Sequence, residues 1–413
     1  MSLKPRALKR SLTVVLLTYI AFLFYIYQRN SAYDTGPTPA VKTIHDYSFA
    51  PLCNTVSRIK VAEAFQASER YAYLEQKPSV TKGALKIIGK GPKKYYFSSN
   101  FVNNQEALPH LFSQLLSIFK FLGPENVFFS IFENGSTDNT TAIIRDFEKK
   151  ITELKIRHSF VSSKHKRPNP SHRIEYLAGV RNRAIEPLYK EQKLGFTYDK
   201  IVFLNDVFFC ENDLLELLYQ SDFQGADITC PMDVDMFGGS DNRMLGFRDV
   251  WVARDISGDR HYKNFSLGIR HEETNKRYRD NLPFQVQCCW NGIAIINSAP
   301  FYQENPIKFR RSDIVENECS ASECSLFCND MWNRGFGKII TVPRIKVSYN
   351  QFDQIAVNRG LNITPVADKE AERVTYIGPP EKIVCVGLNG VNKINPDSGA
   401  IWVTYLKNKT HSD

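Results

Sequence analysis

The stretch 200–213, KIVFLNDVFFCEND, constrains the fold more than any other part of the chain. Its apolar, β-prone residues 201–204 predict a fully buried strand. The strand ends at Asn205 and Asp206, where an unpaired charge is costly to desolvate. Because ligands bind at the carboxyl ends of strands in open α/β sheets, Asp206 is a candidate metal-binding or phosphate-side residue. A turn-capping role for Asp206 is the alternative.

The region before this strand alternates between strand and helix patterns. A strand is predicted from Tyr95 to near Asn100, and apolar residues at helical spacing predict an amphipathic helix over 108–122. The same criteria predict, in order, a strand over 126–132, a helix over 141–150, a strand over 154–160 and a helix over 173–188. This βαβα order predicts an α/β fold with a parallel sheet.

The loop 133–140, ENGSTDNT, joins the second predicted strand to a helix. Backbone amides at a helix N-terminus favour anions, and a carboxylate such as Asp138 is suited to a base or ribose hydroxyl. Ordinary N-capping by Ser136, Thr137 or Asp138 is the alternative interpretation.

The N-terminal segment predicts a membrane anchor. Basic residues precede the uncharged apolar segment 12–27, which is near the lower length limit for a spanning helix. No small-residue cleavage site follows, and the positive flank predicts a cytosolic N-terminus. We therefore expect a single-pass type II protein with a cytosolic tail (1–11), a transmembrane signal anchor (12–28), a stem (29–45) and a lumenal domain (46–413).

Composition and cysteines agree with a lumenal globular protein. With 43% hydrophobic and 23% charged residues, wholesale disorder is excluded, and the net charge of +9 is spread out, which favours small anions over nucleic acid. N-glycosylation sequons occur at Asn264, Asn362 and Asn408. The nine cysteines predict disulfides with one cysteine left over, in a connectivity that the sequence does not give. A zinc site over 319–328 is the weaker alternative, because no fourth ligand lies nearby.

Several motifs together resemble a known family. NGSTD after a strand, RNRA in a helix and a hydrophobic strand closed by an acidic residue look like a GT-A glycosyltransferase that uses a nucleotide-sugar. More narrowly, the chain resembles the fungal α-1,3-mannosyltransferase and capsule-associated protein family, glycosyltransferase family 69. The blocks that carry this resemblance lie in order between residues 95 and 349: FENGSTDNT, GVRNRA, FLNDVFF, FRDVWVARDISGD, WNGIAIINSAPF and SECSLFCNDMW.

The resemblance implies a set of site residues. Those expected to bind the nucleotide-sugar are Glu133, Asp138, Arg181, Asn205 and Asp233. Those expected at the catalytic centre are Asp330, in the acidic position near the acceptor, Glu323 as a second candidate for that position, Asp249 and Arg254.

The metal site departs from the usual GT-A pattern. Asp206 takes the place of the acidic motif, but Leu204 and Phe208 stand where a D-x-D motif has its second carboxylate. A literal D-x-D occurs at 233–235, predicted to follow the next strand, over 227–230. Its position after the central strand favours Asp206 as the metal ligand. Mn²⁺ and Mg²⁺ are the ions that suit oxygen-only ligands.

The resulting prediction is a GT-A-like α/β domain, with a mostly parallel sheet and flanking helices, behind one transmembrane helix. It implies transfer of mannose from GDP-mannose to a mannose-containing acceptor glycan, with an α-1,3 linkage and retention, in the Golgi or another secretory-pathway membrane. Two alternatives stay open: another nucleotide-sugar donor or linkage on the same fold, and a non-catalytic partner of a polysaccharide-synthesis complex.

Overall fold

The computed structural model describes residues 50–64, 66–75, 92–164, 167–168, 171–237, 244–261, 269–313, 315–359, 369–389, 393–394 and 400–407. All of them fall within the structural unit Thr43–Asp413. Three short helices come first: α1 Ala50–Cys53, α2 Val56–Ala64 and α3 Ala67–Arg70.

A parallel half-sheet follows these helices, in the order β3-β2-β1-β4. Each of its crossovers carries a helix, which is what parallel neighbours require. Its elements are β1 Tyr95–Phe101, α4 Leu108–Leu122, β2 Val127–Glu133, α5 Thr140–Glu153, β3 Arg157–Ser162, α6 Arg173–Lys193 and β4 Lys200–Leu204. The predicted βαβα winding is confirmed, and the helix predicted over 108–122 has those bounds.

The second half extends the same sheet to ten strands, in the order β4-β9-β5-β10-β8-β7 with β6 paired to β5. Here β9 runs antiparallel to both β4 and β5, whereas β10 is parallel to β5. The elements are α7 Glu211–Phe223, β5 Ile228–Phe237, β6 Met244–Phe247, β7 Arg254–Asp255, α8 Glu272–Arg279, β8 Phe284–Cys288, β9 Ile293–Asn297, α9 Glu323–Asn333, β10 Ile339–Val347 and α10 Gln351–Arg359. The predicted α/β class with flanking helices is therefore confirmed, and the sheet is mixed, with antiparallel strands in this half.

Strand β5 is longer than predicted, and this corrects the position of the D-x-D motif. Asp233 and Asp235 lie inside the strand and not after it. The strand continues because Asp233 pairs with Val347 of β10 and Asp235 with Gly246 of β6. Its last three residues are only partly buried, so backbone pairing there does not require apolar side chains.

The core lies on both faces of the sheet. On one face, helices α4 and α5 bring Phe112 and Phe147 against Phe129 of β2. On the other face, Phe203 of β4 packs against Trp290. Both faces of the central strands are thus apolar, which explains the continuous hydrophobic run that identified β4.

Four disulfides reinforce this architecture, and they pair Cys53 with Cys210, Cys230 with Cys289, Cys288 with Cys328, and Cys319 with Cys385. Cys324 is left free and buried. Cys288 and Cys289 are adjacent at the end of β8. Through them, one disulfide links β8 to α9 and the other links it to β5. The predicted disulfides with one unpaired cysteine are confirmed.

The C-terminal region adds two small antiparallel strand pairs. Strand β11 Ile383–Val386 pairs antiparallel with β14 Ala400–Val403, and β12 Leu388–Asn389 with β13 Lys393–Ile394. Among the described residues, no helix combines the length and apolar character needed to cross a bilayer. The predicted anchor, 12–28, and the three predicted sequons, Asn264, Asn362 and Asn408, lie outside those residues.

Candidate active site

Asp206 lies just after β4, at the carboxyl edge of the parallel half-sheet. Its Oδ2 atom accepts a hydrogen bond of 2.6 Å from Asn104 Nδ2, in the loop after β1. The side chain is half-buried, and burial raises the pKa of Asp206. A carboxylate here is thus partly desolvated yet still reachable by a ligand.

The turn before β9 fixes the neighbouring Asn205. Gly292 has φ +79°, and a Cβ atom there would come within 2.7 Å of Val207. Its carbonyl accepts a hydrogen bond of 2.9 Å from the Asn205 backbone, while Asn205 Nδ2 donates to the Tyr349 hydroxyl at 2.8 Å. Only glycine fits at position 292, because of this close approach. The two hydrogen bonds of Asn205 connect the end of β4 to the turn before β9 and to the residue that follows β10.

Two further carboxyl groups meet beside this turn. Asp233 of β5 is 2% exposed, and its Oδ1 accepts a 3.2 Å hydrogen bond from the Asp249 backbone N–H. Burial, together with the charge of Asp249, raises the pKa of Asp233 well above its ordinary value. Burial also raises the pKa of Asp249, whose Oδ1 accepts from Val252 N at 3.0 Å. Burial and their mutual repulsion thus make both carboxyl groups weaker acids than exposed ones.

A cation and a phenol complete this side of the site. Arg248 Nη1 forms a 2.7 Å ion pair with Asp235, and its guanidinium lies 4.4 Å from the Tyr349 ring centroid. Burial is the main cause of the raised pKa of Tyr349, and the charges of Asp233 and Asp206 add to it. Tyr349 therefore stays a neutral hydroxyl within the cluster.

Arg181 and Glu323 face each other across helices α6 and α9. Arg181 Nε donates to Glu323 Oε1 at 2.9 Å, and both side chains are largely buried. The Arg181 guanidinium also lies 4.8 Å from Trp290 and 4.9 Å from Phe203, measured to the ring centroids. Aromatic faces and one carboxylate thus hold a desolvated cation in place.

We refer to Asp206, Asp233, Asp249 and Glu323 as the acidic cluster. Electrostatic interactions link these residues: the charges of Asp206, Asp233 and Asp249 act on Tyr349. Arg181 acts on Asp206 and Glu323, and Glu323 acts on Asp249. Five of the predicted site residues belong here, namely Arg181, Asp206, Asp233, Asp249 and Glu323, and Asn205 borders them.

The loop between β2 and α5 uses its carboxylates to hold its own backbone. Asp138 Oδ1 accepts from Thr140 N at 2.9 Å, and Oδ2 accepts from Gln105 N at 3.2 Å. Glu133 accepts from Ser136 N and from the Ser162 hydroxyl. Burial raises the pKa of Glu133, but these hydrogen bonds outweigh it and lower the pKa overall. Both residues lie at the sheet edge as predicted. Asp138 precedes the N-cap Asn139 and binds the N–H of Thr140, the first residue of α5.

Asp330 and Arg254 form their hydrogen bonds outside the acidic cluster, although the charges of Arg254 and Asp249 act on each other. Helix α9 begins at Glu323, so Asp330 lies about two turns further along. Its two oxygens accept from Arg310 at 2.7 and 2.9 Å. Arg254 is buried and donates to three carbonyl groups, including that of Val384. Glu323 is the acidic residue that opens helix α9, and the catalytic roles of Glu323, Asp330 and Arg254 stay predictions.

The carboxylates suit a divalent cation only with help from a ligand. Their oxygens are the donors that Mg²⁺ and Mn²⁺ prefer. Within the described parts of the chain, however, no three His, Cys, Asp or Glu side chains are arranged to hold a metal ion. Mg²⁺ is commonly bound by one or two carboxylates plus substrate phosphates. The residues therefore fit a cation that is held jointly with a diphosphate.

Sequence reasoning missed Arg248, Tyr349 and Asn104. Arg248 directly precedes Asp249 in the FRDVWVARDISGD block. The sequence alone could therefore have identified it as a site candidate. Tyr349 follows β10, more than one hundred residues from its partner Asn205. No local spacing could have identified that contact.

Comparison with known proteins identifies relatives of this chain. Residues 94–330, more than half of it, match the family described as Cryptococcal mannosyltransferase 1. The α-1,3-mannosyltransferase CMT1 of Cryptococcus neoformans is 31% identical over 315 residues, which cover 70% of this chain and 64% of that protein. The chain thus spans under two thirds of this relative.

Solved structures resemble the chain more weakly. Residues 1–349 of TarS from S. aureus align with a TM-score of 0.37 and 14% identity over 63% of each chain. The mannosyltransferase PcManGT from Pyrobaculum calidifontis, solved with GDP-Man and Mn²⁺, aligns with a TM-score of 0.37 and 12% identity over 71% of this chain and 67% of its own. The sequence match to residues 94–330 is the decisive one, and by it this chain belongs to the Cryptococcal mannosyltransferase 1 family.

Proposed function

We propose that this protein is a GT-A-like glycosyltransferase that moves mannose from GDP-mannose to a hydroxyl group of an acceptor glycan, forming an α-1,3 linkage with retention. Family membership and the activity named for its relative support the mannosyl transfer. The observation that carries the proposal is the acidic cluster beside the buried Arg181. Both lie at the strand ends, where α/β sheets bind ligands.

The donor diphosphate is proposed to bind between Arg181 and Arg248. Arg181 is fixed by Glu323 and the aromatic rings, so its orientation is set before the ligand arrives. Arg248 is half-exposed, which leaves its positive charge open to a ligand. Two cations at a diphosphate offset the charge that develops on the leaving nucleotide.

Asp206 and Asp233 are the proposed metal ligands, with Asp235 adjacent on the same strand. Mn²⁺ or Mg²⁺, when bound, would act as a Lewis acid toward the diphosphate oxygens. Binding a cation requires ionised carboxylates. Because burial raises the pKa of Asp206 and Asp233, we expect the binding to release protons and to weaken as the pH falls.

Two carboxyl groups are proposed to act on the sugar and the acceptor. Glu323 is buried beside Arg181 and is the proposed group that stabilises positive charge on the transferred sugar. Burial raises the pKa of Asp249, which suits a group that accepts the proton of the attacking hydroxyl. Retention proceeds either through a covalent carboxylate adduct or through same-face attack in an ion pair.

The cellular setting is proposed as the lumenal side of a Golgi or other secretory-pathway membrane. Four disulfides support an oxidising compartment. The basic and apolar composition of residues 1–28 supports a type II anchor. Protease protection of the lumenal part in sealed microsomes tests this topology, and cleavage without detergent would contradict it.

The experiment that tests the activity measures sugar transfer by the purified protein with GDP-mannose and, in parallel, UDP-sugars. Each donor is assayed with Mn²⁺, with Mg²⁺ and with chelator. The Asp206→Ala variant is compared with Asp280→Asn, an exposed carboxylate at the end of α8. We expect metal-dependent turnover of GDP-mannose that is lost in Asp206→Ala and kept in Asp280→Asn.

The other outcomes separate the alternatives. Turnover of a UDP-sugar alone would keep the transferase and change its donor. Binding and turnover of no nucleotide-sugar under any condition would refute the proposal and leave a non-catalytic partner of a polysaccharide-synthesis complex.

A further inference from the structure

A large cavity adjoins helix α9, which also carries Glu323 of the acidic cluster. Its volume is about 1060 Å³, at the upper end of the size range of small-molecule sites. Helix α9 contributes Ser325 and Asn329 to the wall, and the C-terminal strand β14 contributes Trp402. None of the residues assigned to the proposed donor site lines it.

The walls of this cavity are held in fixed positions. The Cys319–Cys385 disulfide joins the loop before α9 to β11, and both cysteines line the cavity. The side chain of Asn333, in the last turn of α9, donates to the Tyr405 carbonyl at 3.0 Å and accepts from Lys407 N at 2.7 Å. A ligand therefore meets a preformed site and pays little ordering cost.

The lining combines an aromatic platform with polar side chains. Trp402 is 53% exposed, an unusual state for so large an apolar ring. Arg310 forms a planar network with Glu318 and Asp330. Ser325 is 9% exposed, and its hydroxyl has no hydrogen-bond partner among the described residues.

The charges in the lining balance almost evenly. Four basic and three acidic side chains line the cavity: Arg254, Arg310, Lys382, Lys407, Asp313, Glu316 and Glu318. This mixture disfavours a nucleotide or other polyanion and suits a neutral ligand with many hydroxyl groups. A Trp face with planar polar partners is the chemistry that binds the apolar face and the hydroxyls of a sugar ring.

The cavity shares its structural elements with the acidic cluster. On α9, Glu323 belongs to the cluster, and Ser325 lines the cavity. The segment that follows β6 places Asp249 in the cluster and Arg254 in the cavity wall. The two sites are therefore built partly from the same helix and the same loop segment.

We propose that this cavity is a neutral-oligosaccharide site that holds the body of an acceptor glycan while its end residue reacts at the acidic cluster. The assignment of a glycan site follows from the lining. The choice of a mannose glycan as its ligand rests on the proposed function.

The first test measures binding of α-1,3-linked mannotetraose to the purified full chain by calorimetry, without donor. Trp402→Ala is compared with Ile401→Ala, a neighbour on the same strand that is 55% exposed and does not line the cavity. We expect about tenfold weaker binding in Trp402→Ala and no change in Ile401→Ala. Equal binding by the two variants, or no binding by the wild type, overturns the proposal.

A kinetic test uses acceptor length as its second readout. The ratio of wild-type to Trp402→Ala kcat/KM is measured with mannotetraose and with methyl α-mannoside as acceptors. We expect a ratio of about ten with the tetrasaccharide and a clearly smaller ratio with the monosaccharide. An equal ratio for both acceptors overturns the proposal, because a purely structural effect ignores acceptor length.

The two proposals fail in different ways. Trp402-dependent glycan binding without any sugar transfer would leave the glycan site standing and refute the transferase. Sugar transfer at a rate that does not depend on Trp402 would support the transferase and refute the glycan site.

Discussion

At the scale of single residues, Asp233 sets function against stability. Its carboxyl group is buried beside Asp249, and the raised pKa means that ionisation is costly in the folded state. A carboxyl group with a raised pKa favours the folded state while protonated, and this contribution is lost as the pH rises. The residue is therefore kept at a cost that a bound cation can offset.

Replacing Asp233 with Asn tests this conflict. Asn can still accept the hydrogen bond from Asp249 N but carries no charge. We expect sugar transfer to be lost and the free energy of unfolding near neutral pH to rise by about 1 kcal/mol. Thermal melts across pH provide the measurement, and the gain should shrink toward acidic pH. A destabilised variant at neutral pH would contradict this account.

The proposed role of Arg181 in binding the donor diphosphate can be tested against a control on the same helix. Lysine in its place keeps the charge but loses the planar contact with Trp290 and the fixed fork toward Glu323. We expect Arg181→Lys to weaken GDP binding, measured by calorimetry, by about tenfold. Arg183→Lys is the control, since Arg183 is exposed on the same helix and pairs only with Glu186 in the described structure. Similar losses in both variants would refute the assignment of Arg181.

At the scale of elements, a buried ionic network joins α3 and α7 to β10 and the C-terminal region. Glu216 of α7 accepts from Arg70 at 2.8 Å and also binds Arg344 of β10. Glu372 binds the same two arginines, at 2.6 and 2.9 Å. The two carboxylates and two guanidinium groups are almost fully buried, so each depends on the others for its solvation.

Removing one charge from this network should be severe. Burial raises the pKa of Glu216, but Arg344 and Arg70 outweigh it and lower the pKa to about 2. We expect Glu216→Gln to reduce the free energy of unfolding by about 3–5 kcal/mol, measured by chemical denaturation. The difference should narrow as the pH falls from about 4.5 toward 2, because the wild type then loses the same charge.

The same helix supplies the control for that experiment. Glu211, in its first turn, is half-buried, and burial raises its pKa. Glu211→Gln should change stability by less than about 1 kcal/mol. Equal losses of unfolding free energy in the two variants would mean that the ionic network does not contribute more to stability than a single half-buried carboxylate.

At the scale of the whole molecule, the disulfides tie distant parts of the site together. Cys230 lies on β5 near Asp233, and Cys328 lies on α9 near Glu323. Both are bonded to the adjacent cysteines at the end of β8. The acidic cluster therefore depends on a covalent junction that no single element provides.

Thiol counting checks this pairing. Alkylation after denaturation without reductant should label one cysteine, Cys324, of the nine in the chain. Alkylation of the native protein should label it slowly, since it is buried. Mass spectrometry gives the count, and two further labelled cysteines would mean that one of the four bridges does not form.

The sequence by itself determined the parts of the molecule that depend on local chemistry. Helical spacing fixed α4 at Leu108–Leu122, and the apolar run before Asp206 fixed β4 and the sheet edge. These predictions succeeded because periodicity is a property of consecutive residues. The ordered motifs identified the family, which the match over residues 94–330 confirms.

Only the tertiary structure decided how the site is assembled. It put the D-x-D motif inside β5, because pairing with β6 and β10 extends that strand beyond its apolar run. It paired Glu323 with Arg181 and Asp330 with Arg310. It also selected the partners of Cys288 and Cys289. Each of these choices depends on which distant segments the fold brings together, and the order of residues along the chain does not encode that contact locally.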